Sequence, residues 1–299
     1  MTEFLQLTIS GAIQGMVYAL IAFGYNLTFS TSKTINFSLG NILMLGGVVG
    51  FSLYVDKNTG ALLGIPFIVP IIGVLIAGVI VGAGVHKFAV QPSLKLKSEY
   101  TWVLATLAVG IILKNGVEQL WSTGDFKFPS PLGDNPIRFD NGVGIYPQEI
   151  LIAIVSILIV VGVEVFKRKT IFGKAIQAVS EDRDTASLMG IPQQFVIRLS
   201  FMLSATIATV AGLLVAPLTF VSASMGTALG IKAYAVAIIG GLESGSGLLV
   251  GGLILGICEG LTAGYISSGY KEMPGFILLI IVILIKPNGL FGKKSIKKV

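Results

Sequence analysis

The chain has 299 residues, of which 54% are hydrophobic and only 12% charged, with a mean hydropathy of +0.87. That composition cannot cover a water-soluble surface with polar groups, so the main solvent is a bilayer and little remains for a soluble domain. A net charge of +6 is compatible with nucleic-acid binding, but the basic residues stand in loops between apolar spans, which membrane topology explains better.

A spanning helix needs about 20 mostly apolar residues. In chain order such stretches fall at 5–29, 35–54, 62–85, 101–121, 149–166, 199–221, 231–242, 248–266 and 274–285. The expected fold is an all-α integral membrane protein, a polytopic bundle of eight to nine transmembrane or half-spanning helices in a single domain, 1–299. Residues 1–29 lack a basic start and a small-residue cleavage site and are expected to be a retained span. Threading from an outside N-terminus collects Lys87, Lys95, Lys97, Lys167, Arg168, Lys169, Lys174, Arg183, Arg198, Lys286, Lys293, Lys294, Lys297 and Lys298 on one side. Only Lys57, Lys127, Arg138, Lys232 and Lys271 fall on the other. Basic residues in short loops stay cytoplasmic, so the C-terminus is expected inside. A cysteine at Asp134 is then expected to be reached by an impermeant maleimide from outside, and one at Asp184 is not.

Two connections are long. Residues 122–148, with Pro129, Pro131, Pro136 and Pro147, are expected as an irregular extracytoplasmic cap. Residues 167–198 are expected inside, with one helix over 174–189 stopped by Gly190 and Pro192.

Glycine is abundant, 38 in all, and several glycines recur at four-residue spacing. Gly252, Gly256, Gly260 and Gly264 make one stripe, and Gly11 with Gly15, Gly46 with Gly50, and Gly78 with Gly82 make pairs. Residues four apart share a helix face, so these mark close helix crossings. Two spans look interrupted: 35–54 opens with Asn36, Ser38, Gly40 and Asn41, and 231–242 ends at Gly240 and Gly241 ahead of Glu243. Short or glycine-broken segments in corresponding positions of two halves point to discontinuous helices along a solute path. Glu259, alone in the middle of a glycine-rich span, is either a buried paired acid or a transport group. Lys114 and Glu118, four apart, are expected to pair. An ordinary interfacial loop remains the alternative for both breaks.

One cysteine, Cys258, and one histidine, His86, exclude an intrachain disulfide and a multi-cysteine metal site and leave little for histidine-based metal chemistry. The runs Gly173, Lys174, Ala175 and Gly292, Lys293, Lys294 lack the framing of a phosphate-binding loop, so ATP chemistry, if involved, belongs to another chain. A secondary transporter, a passive channel and a membrane enzyme are the rival classes. Few central acids argue against the first, the ordered 167–198 loop against the second, and the lack of a nucleophile or paired-carboxylate cluster against the third.

Three stretches resemble the permease subunits of bacterial ABC importers for branched-chain amino acids. They are Tyr18, Ala19, Leu20, Gly24 with Ile35, Asn36, Phe37, Gly40 and Leu45, Gly46, Gly47; the run from Gly173 through Glu181, Asp182, Arg183, Ala186, Met189, Gly190 and Ile191; and Gly240, Gly241, Gly251, Gly252, Gly256, Glu259 with the ending Lys286, Pro287, Asn288, Gly289, Leu290, Phe291, Gly292. The resemblance implies an ATPase-coupling loop of Gly173, Lys174, Ala178, Glu181, Asp182, Arg183, Ala186 and Gly190, with 178–190 as the coupling helix and its turn and Glu181, Asp182 and Arg183 exposed for contact. It also implies two cytoplasmic ATPase subunits that bind ATP and magnesium, a second permease subunit, an extracytoplasmic substrate-binding protein, and no cofactor on this chain. Asn36, Ser38, Gly40, Asn41, Gly240, Gly241 and Glu259 are the expected solute path. Branched-chain or other hydrophobic amino acids are the expected solutes, with urea or short amides the alternative; no nucleic acid is expected. The implied location is the cytoplasmic membrane of a prokaryote.

Overall fold

A computed structural model describes residues 2–96, 100–133, 135–139 and 142–292. Lys97, Asp134, Lys293, Lys294, Lys297 and Lys298 lie outside the described residues. The helices are α1 (Thr2–Ser32), α2 (Leu39–Tyr54), α3 (Ile68–Val85), α4 (Gln91–Lys95), α5 (Thr101–Leu120), α6 (Pro147–Lys169), α7 (Ile171–Glu181), α8 (Arg183–Leu188), α9 (Gln193–Val215), α10 (Met225–Gly240), α11 (Gly245–Tyr265) and α12 (Met273–Ile285). A π-helical turn, His86–Val90, joins α3 to α4. Seven helical stretches among the described residues are long and apolar enough to cross a membrane, and α2 and α10 are shorter apolar helices.

The two ends of the bundle are tied by different bonds. At one end the Gln6 amide spans Gly144, donating to its carbonyl at 2.7 Å and accepting from its N–H at 2.8 Å. This fastens the start of α1 to the 122–148 connection. That connection is not wholly irregular: Phe126–Lys127 (β1) pairs antiparallel with Phe220–Val221 (β4), and Ile137–Arg138 (β2) with Gly144–Ile145 (β3). At the other end Arg183 reaches the end of α1, Lys33 meets Glu243 at 2.6 Å, and the Leu290 N–H bonds the Ile239 carbonyl at 2.8 Å.

Packing repeats between two sets of helices with opposite direction. α1 lies along α11 as α9 lies along α3; α2 rests on α9 and α5 as α10 rests on α1 and α12; and α2 meets α10. This is the contact pattern of an inverted repeat. Glycine makes the long crossings possible. A Cβ on Gly256 would fall on the Gly11 carbonyl and lie 2.5 Å from the Gly15 Cα, while one on Gly82 would lie 2.7 Å from the Met202 Cα. Gly260 and Gly264 continue the α11 face onto Leu7, and Gly252 packs on Gly15 and Ala19. In a bilayer, where lipid tails are as apolar as leucine, such backbone contact supplies the dispersion attraction that holds helices together.

Four expectations need correction. The span expected over 231–242 is the longer α10, whose first turns, Met225 to Gly230, are rich in small residues and so fall below a hydropathy threshold. Lys232 is therefore not in a loop; it lies within α10. The span expected to start at 62 begins as a helix only at Ile68. The single helix expected over 174–189 is broken at Asp182, whose extended backbone ends α7 and whose carboxylate accepts from the Asp184 and Thr185 N–H groups to start α8. Aspartate is among the best residues for that capping role, which outweighs the helix formers on either side.

Candidate functional site

A groove of about 350 Å³ opens between α2, α5 and α10. Leu107, Gly110, Ile111 and Lys114 form its α5 wall, at the i, i+3, i+4, i+7 spacing that puts four residues on one helix face. Gly226, Thr227, Gly230, Ile231 and Tyr234 form the α10 wall, and Gly40 with Asn41 in the first turn of α2 form its back. Three glycines allow α2 and α10 to meet backbone to backbone: a Cβ on Gly230 would lie 2.8 Å from the Gly40 Cα. The Asn41 amide nitrogen packs over Gly110, and its Oδ1 has no hydrogen-bond partner among the described residues.

The segment that delivers α2 is non-helical. Lys33 adopts φ +48°, and the Asn36 side chain accepts from the Ser38 N–H (3.2 Å) and hydroxyl (2.6 Å), a local turn that ends the extended stretch. The Phe37 N–H bonds the Thr106 hydroxyl at 3.3 Å. The Phe37 ring stands in a row of four: it stacks on Trp102 at 6.3 Å and meets Tyr234 at 5.5 Å, and Tyr234 meets Tyr25 edge-on at 5.9 Å. The Tyr25 hydroxyl donates to the Gly230 carbonyl at 3.3 Å. These rings floor the groove at the end toward Lys33, with Lys114 at the opposite end.

Of the expected path residues, Gly40 and Asn41 line this groove. Asn36 and Ser38 are buried in the turn beneath it. Gly240 and Gly241 lie elsewhere, packed on Gly247 and on residues 288–292, with Gly241 at φ +99°. Glu259 also lies off the groove. It is 1% exposed, accepts from the Tyr18 hydroxyl at 2.8 Å, and pairs at 3.2 Å with Lys232, which also reaches Glu272 at 3.3 Å. Sequence reasoning missed Tyr25, Thr227 and Tyr234. The one signal was Gly226 and Gly230, a four-residue glycine pair just ahead of the expected span.

At the far end, the 167–198 loop is compact. The Thr170 hydroxyl accepts from the Gly173 N–H at 2.9 Å, and Gly173 is required because a Cβ there would lie 2.5 Å from the Lys167 Cα in the tight α6–α7 turn. Lys174, Glu181 and Asp182 are exposed and Ala178 is half-buried. Arg183 and Ala186 depart from the expectation of a contact face. Ala186 is buried, and Arg183 turns inward, its Nε donating to the Thr31 carbonyl at 2.8 Å. The apolar groups that project include Ile171 (85% exposed) at the start of α7 and Leu188 (88%) and Met189 (79%), the last two just before Gly190, whose φ of +82° closes the helix.

The profile of the family described as branched-chain amino acid transport system / permease component matches residues 7–285. The chain belongs to this family. It is 32% identical over 99% of its length, and 98% of the relative's, to the high-affinity branched-chain amino acid transport system permease protein LivH of Escherichia coli. The BraD permease protein of Pseudomonas aeruginosa is 30% identical over the same shares. A probable branched-chain amino acid transport permease protein LivH of Methanocaldococcus jannaschii is 28% identical over 96% of this chain and 92% of its own. No solved structure matches it significantly. The permease is thus a multi-pass membrane component of an ABC importer and not its hydrolysing subunit; in such importers ATP is bound by the partner ATPases.

Proposed function

We infer that this permease moves branched-chain amino acids into the cell, with the 122–148 connection outside and the 167–198 loop and the C-terminus in the cytoplasm. The orientation is supported by Lys167, Arg168, Lys169, Lys174 and Arg198 gathering at the loop end, together with the order in which the helices alternate. The observation that carries the coupling assignment is Leu188 and Met189. Two apolar side chains on a rigid, glycine-closed turn outside the bundle have no reason to stand in water unless a partner covers them. That partner is the pair of cytoplasmic ATPases. α7 and α8 form the coupling element, and Lys174, Glu181 and Asp182 make the polar rim around the apolar pair.

The solute path is the α2–α5–α10 groove. Its walls offer aliphatic surface from Leu107, Ile111 and Ile231, an amide from Asn41 and a cation from Lys114, which suits a zwitterion with an aliphatic side chain. Lys114 and Glu118 pair at 3.7 Å on α5 and are 39% and 31% exposed, which is costly against lipid. A second permease subunit therefore covers this face and turns the groove into a passage. An extracytoplasmic binding protein delivers the solute to the 122–148 end. ATP-driven closure of the ATPases switches the bundle between outward-open and inward-open states.

The test is reconstitution of the permease with the ATPases, second permease and binding protein encoded beside it, measuring ATP-dependent uptake of leucine, isoleucine and valine against urea and acetamide. Uptake of the three amino acids is expected. ATP-driven uptake of urea or acetamide alone would replace the solute assignment, and uptake indifferent to ATP would replace the importer reading with a channel.

A further inference from the structure

Arg183, in the coupling loop, hydrogen-bonds directly to the end of α1. Its Nε donates to the Thr31 carbonyl at 2.8 Å, in the last turn of α1. A guanidinium there complements the partial negative charge of unsatisfied carbonyls at a helix C-terminus. One of its outer nitrogens, Nη2, is buried and has no hydrogen-bond partner among the described residues, so one donor is left over for a further contact.

Thr31 stands midway between two rings of the groove floor. Tyr25 is six residues before it on the same helix, and Phe37 is six residues after it across the non-helical connection. Beyond local Ser32–Thr34 and Asn36–Ser38 bonds, that connection, whose Thr34, Ile35 and Asn36 are buried, reaches other helices through few side-chain bonds. Lys33, at φ +48°, pairs with Glu243 on the α10–α11 turn, and the Phe37 N–H bonds Thr106. Neither bond ties it to the coupling loop; Arg183 bonds Thr31 at the end of α1, two residues before Lys33, where α7 also packs. A displacement of α8 that pulls on Thr31 therefore acts on the short lever that carries Phe37 and on the last turns of the helix that carries Tyr25.

We propose that Arg183 transmits the movement of the coupling loop to an aromatic gate. By holding the Thr31 carbonyl it couples α8 to Tyr25 and Phe37, whose rings close the cytoplasmic end of the groove. Phe37 is the moving member because its backbone lies outside any helix. Tyr234 and Trp102 sit on α10 and α5 and form the fixed side. Arg183 is a positioning residue and touches no solute. The proposal rests on reading 167–198 as the ATPase-coupling loop.

The experiment compares the parental complex with Arg183→Ala, Arg183→Lys and Phe37→Ala, each reconstituted with its ATPases, second permease and binding protein, using leucine as the probe. ATPase co-purification, ATP hydrolysis and leucine moved are read on the same preparation. Arg183→Ala is expected to keep the ATPases bound and hydrolysing while leucine moved per ATP falls about tenfold, the scale of an ordinary coupling free energy. Arg183→Lys, which keeps a cationic donor, is expected to restore part of that ratio. A loss of folded complex would lower hydrolysis and uptake together and leave the ratio unchanged. An unchanged ratio in Arg183→Ala overturns the transmission role, as does loss of the ATPases from the complex, which would make Arg183 a docking contact. Phe37→Ala is expected to let preloaded leucine leak from vesicles without ATP; a vesicle as tight as the parental one overturns the gate. A parental complex that hydrolyses ATP without moving leucine would instead sink the leucine assignment, an outcome separable from either.

Discussion

The α1–α11 crossing gives the sharpest test of the packing. In Gly256→Ala the added methyl meets only backbone: the Gly11 carbonyl, and the Gly15 Cα and N at 2.5 Å. No flexible side chain can turn away, so the two helices must separate locally. Overpacking of this kind costs about 1–3 kcal/mol. Alanine also gains about 1 kcal/mol over glycine in a helix interior, so a control with the same gain is needed. Gly162→Ala on α6 supplies it, because a Cβ there meets nothing within 4 Å. The propensity terms cancel between the two variants, leaving Gly256→Ala less stable than Gly162→Ala by about 1–3 kcal/mol, the overpacking cost alone. Thermal unfolding of the detergent-purified permease, followed by the loss of monodisperse protein, reads the difference. Gly256→Leu is expected to prevent assembly. Equal midpoints for Gly256→Ala and Gly162→Ala would mean that α1 and α11 are not in backbone contact, and the bundle geometry would need redrawing.

Breaking the buried pair on one side should cost more than removing both charges. Lys232→Ala leaves Glu259 without its cation and is expected to destabilise by about 3–5 kcal/mol, while Lys232→Met combined with Glu259→Gln recovers most of that in the same unfolding assay. Leu188→Asp and Met189→Asp should each weaken ATPase binding by about 2 kcal/mol, the scale of an interface hot spot, without lowering permease expression, as read by co-purification. In a Cys258→Ala background, Leu132→Cys should be labelled by an impermeant maleimide in intact cells and Ser187→Cys should not; the reverse pattern would invert the proposed orientation.

Membrane residence and the approximate places of the apolar helices were legible in the sequence because they follow from summed transfer free energies, which need no knowledge of partners. The close-packing glycines were legible for a similar reason: four-residue spacing defines a helix face whatever that face meets. What the faces meet was decided by the tertiary structure alone. Gly252 and Gly256 could equally have faced any small-residue stripe; that it is Gly11 and Gly15 depends on how helices some 240 positions apart in the chain cross. The 167–198 loop, proposed above to couple to the ATPases, shows the same division. Arg183 was expected outside and is turned inward, because the fold sets the start of α8 beside the open carbonyls that end α1, and no local pattern encodes where that helix ends in space. Leu188, which no pattern marked, took its place on the surface. The groove was only partly legible: Asn41 was expected on the solute path, but Tyr25, Phe37, Lys114 and Tyr234 come from three helices and one connection, and no local pattern brings them together. A local sequence pattern specifies which way a side chain points from its own helix, while a site between helices exists only once packing has chosen the neighbours.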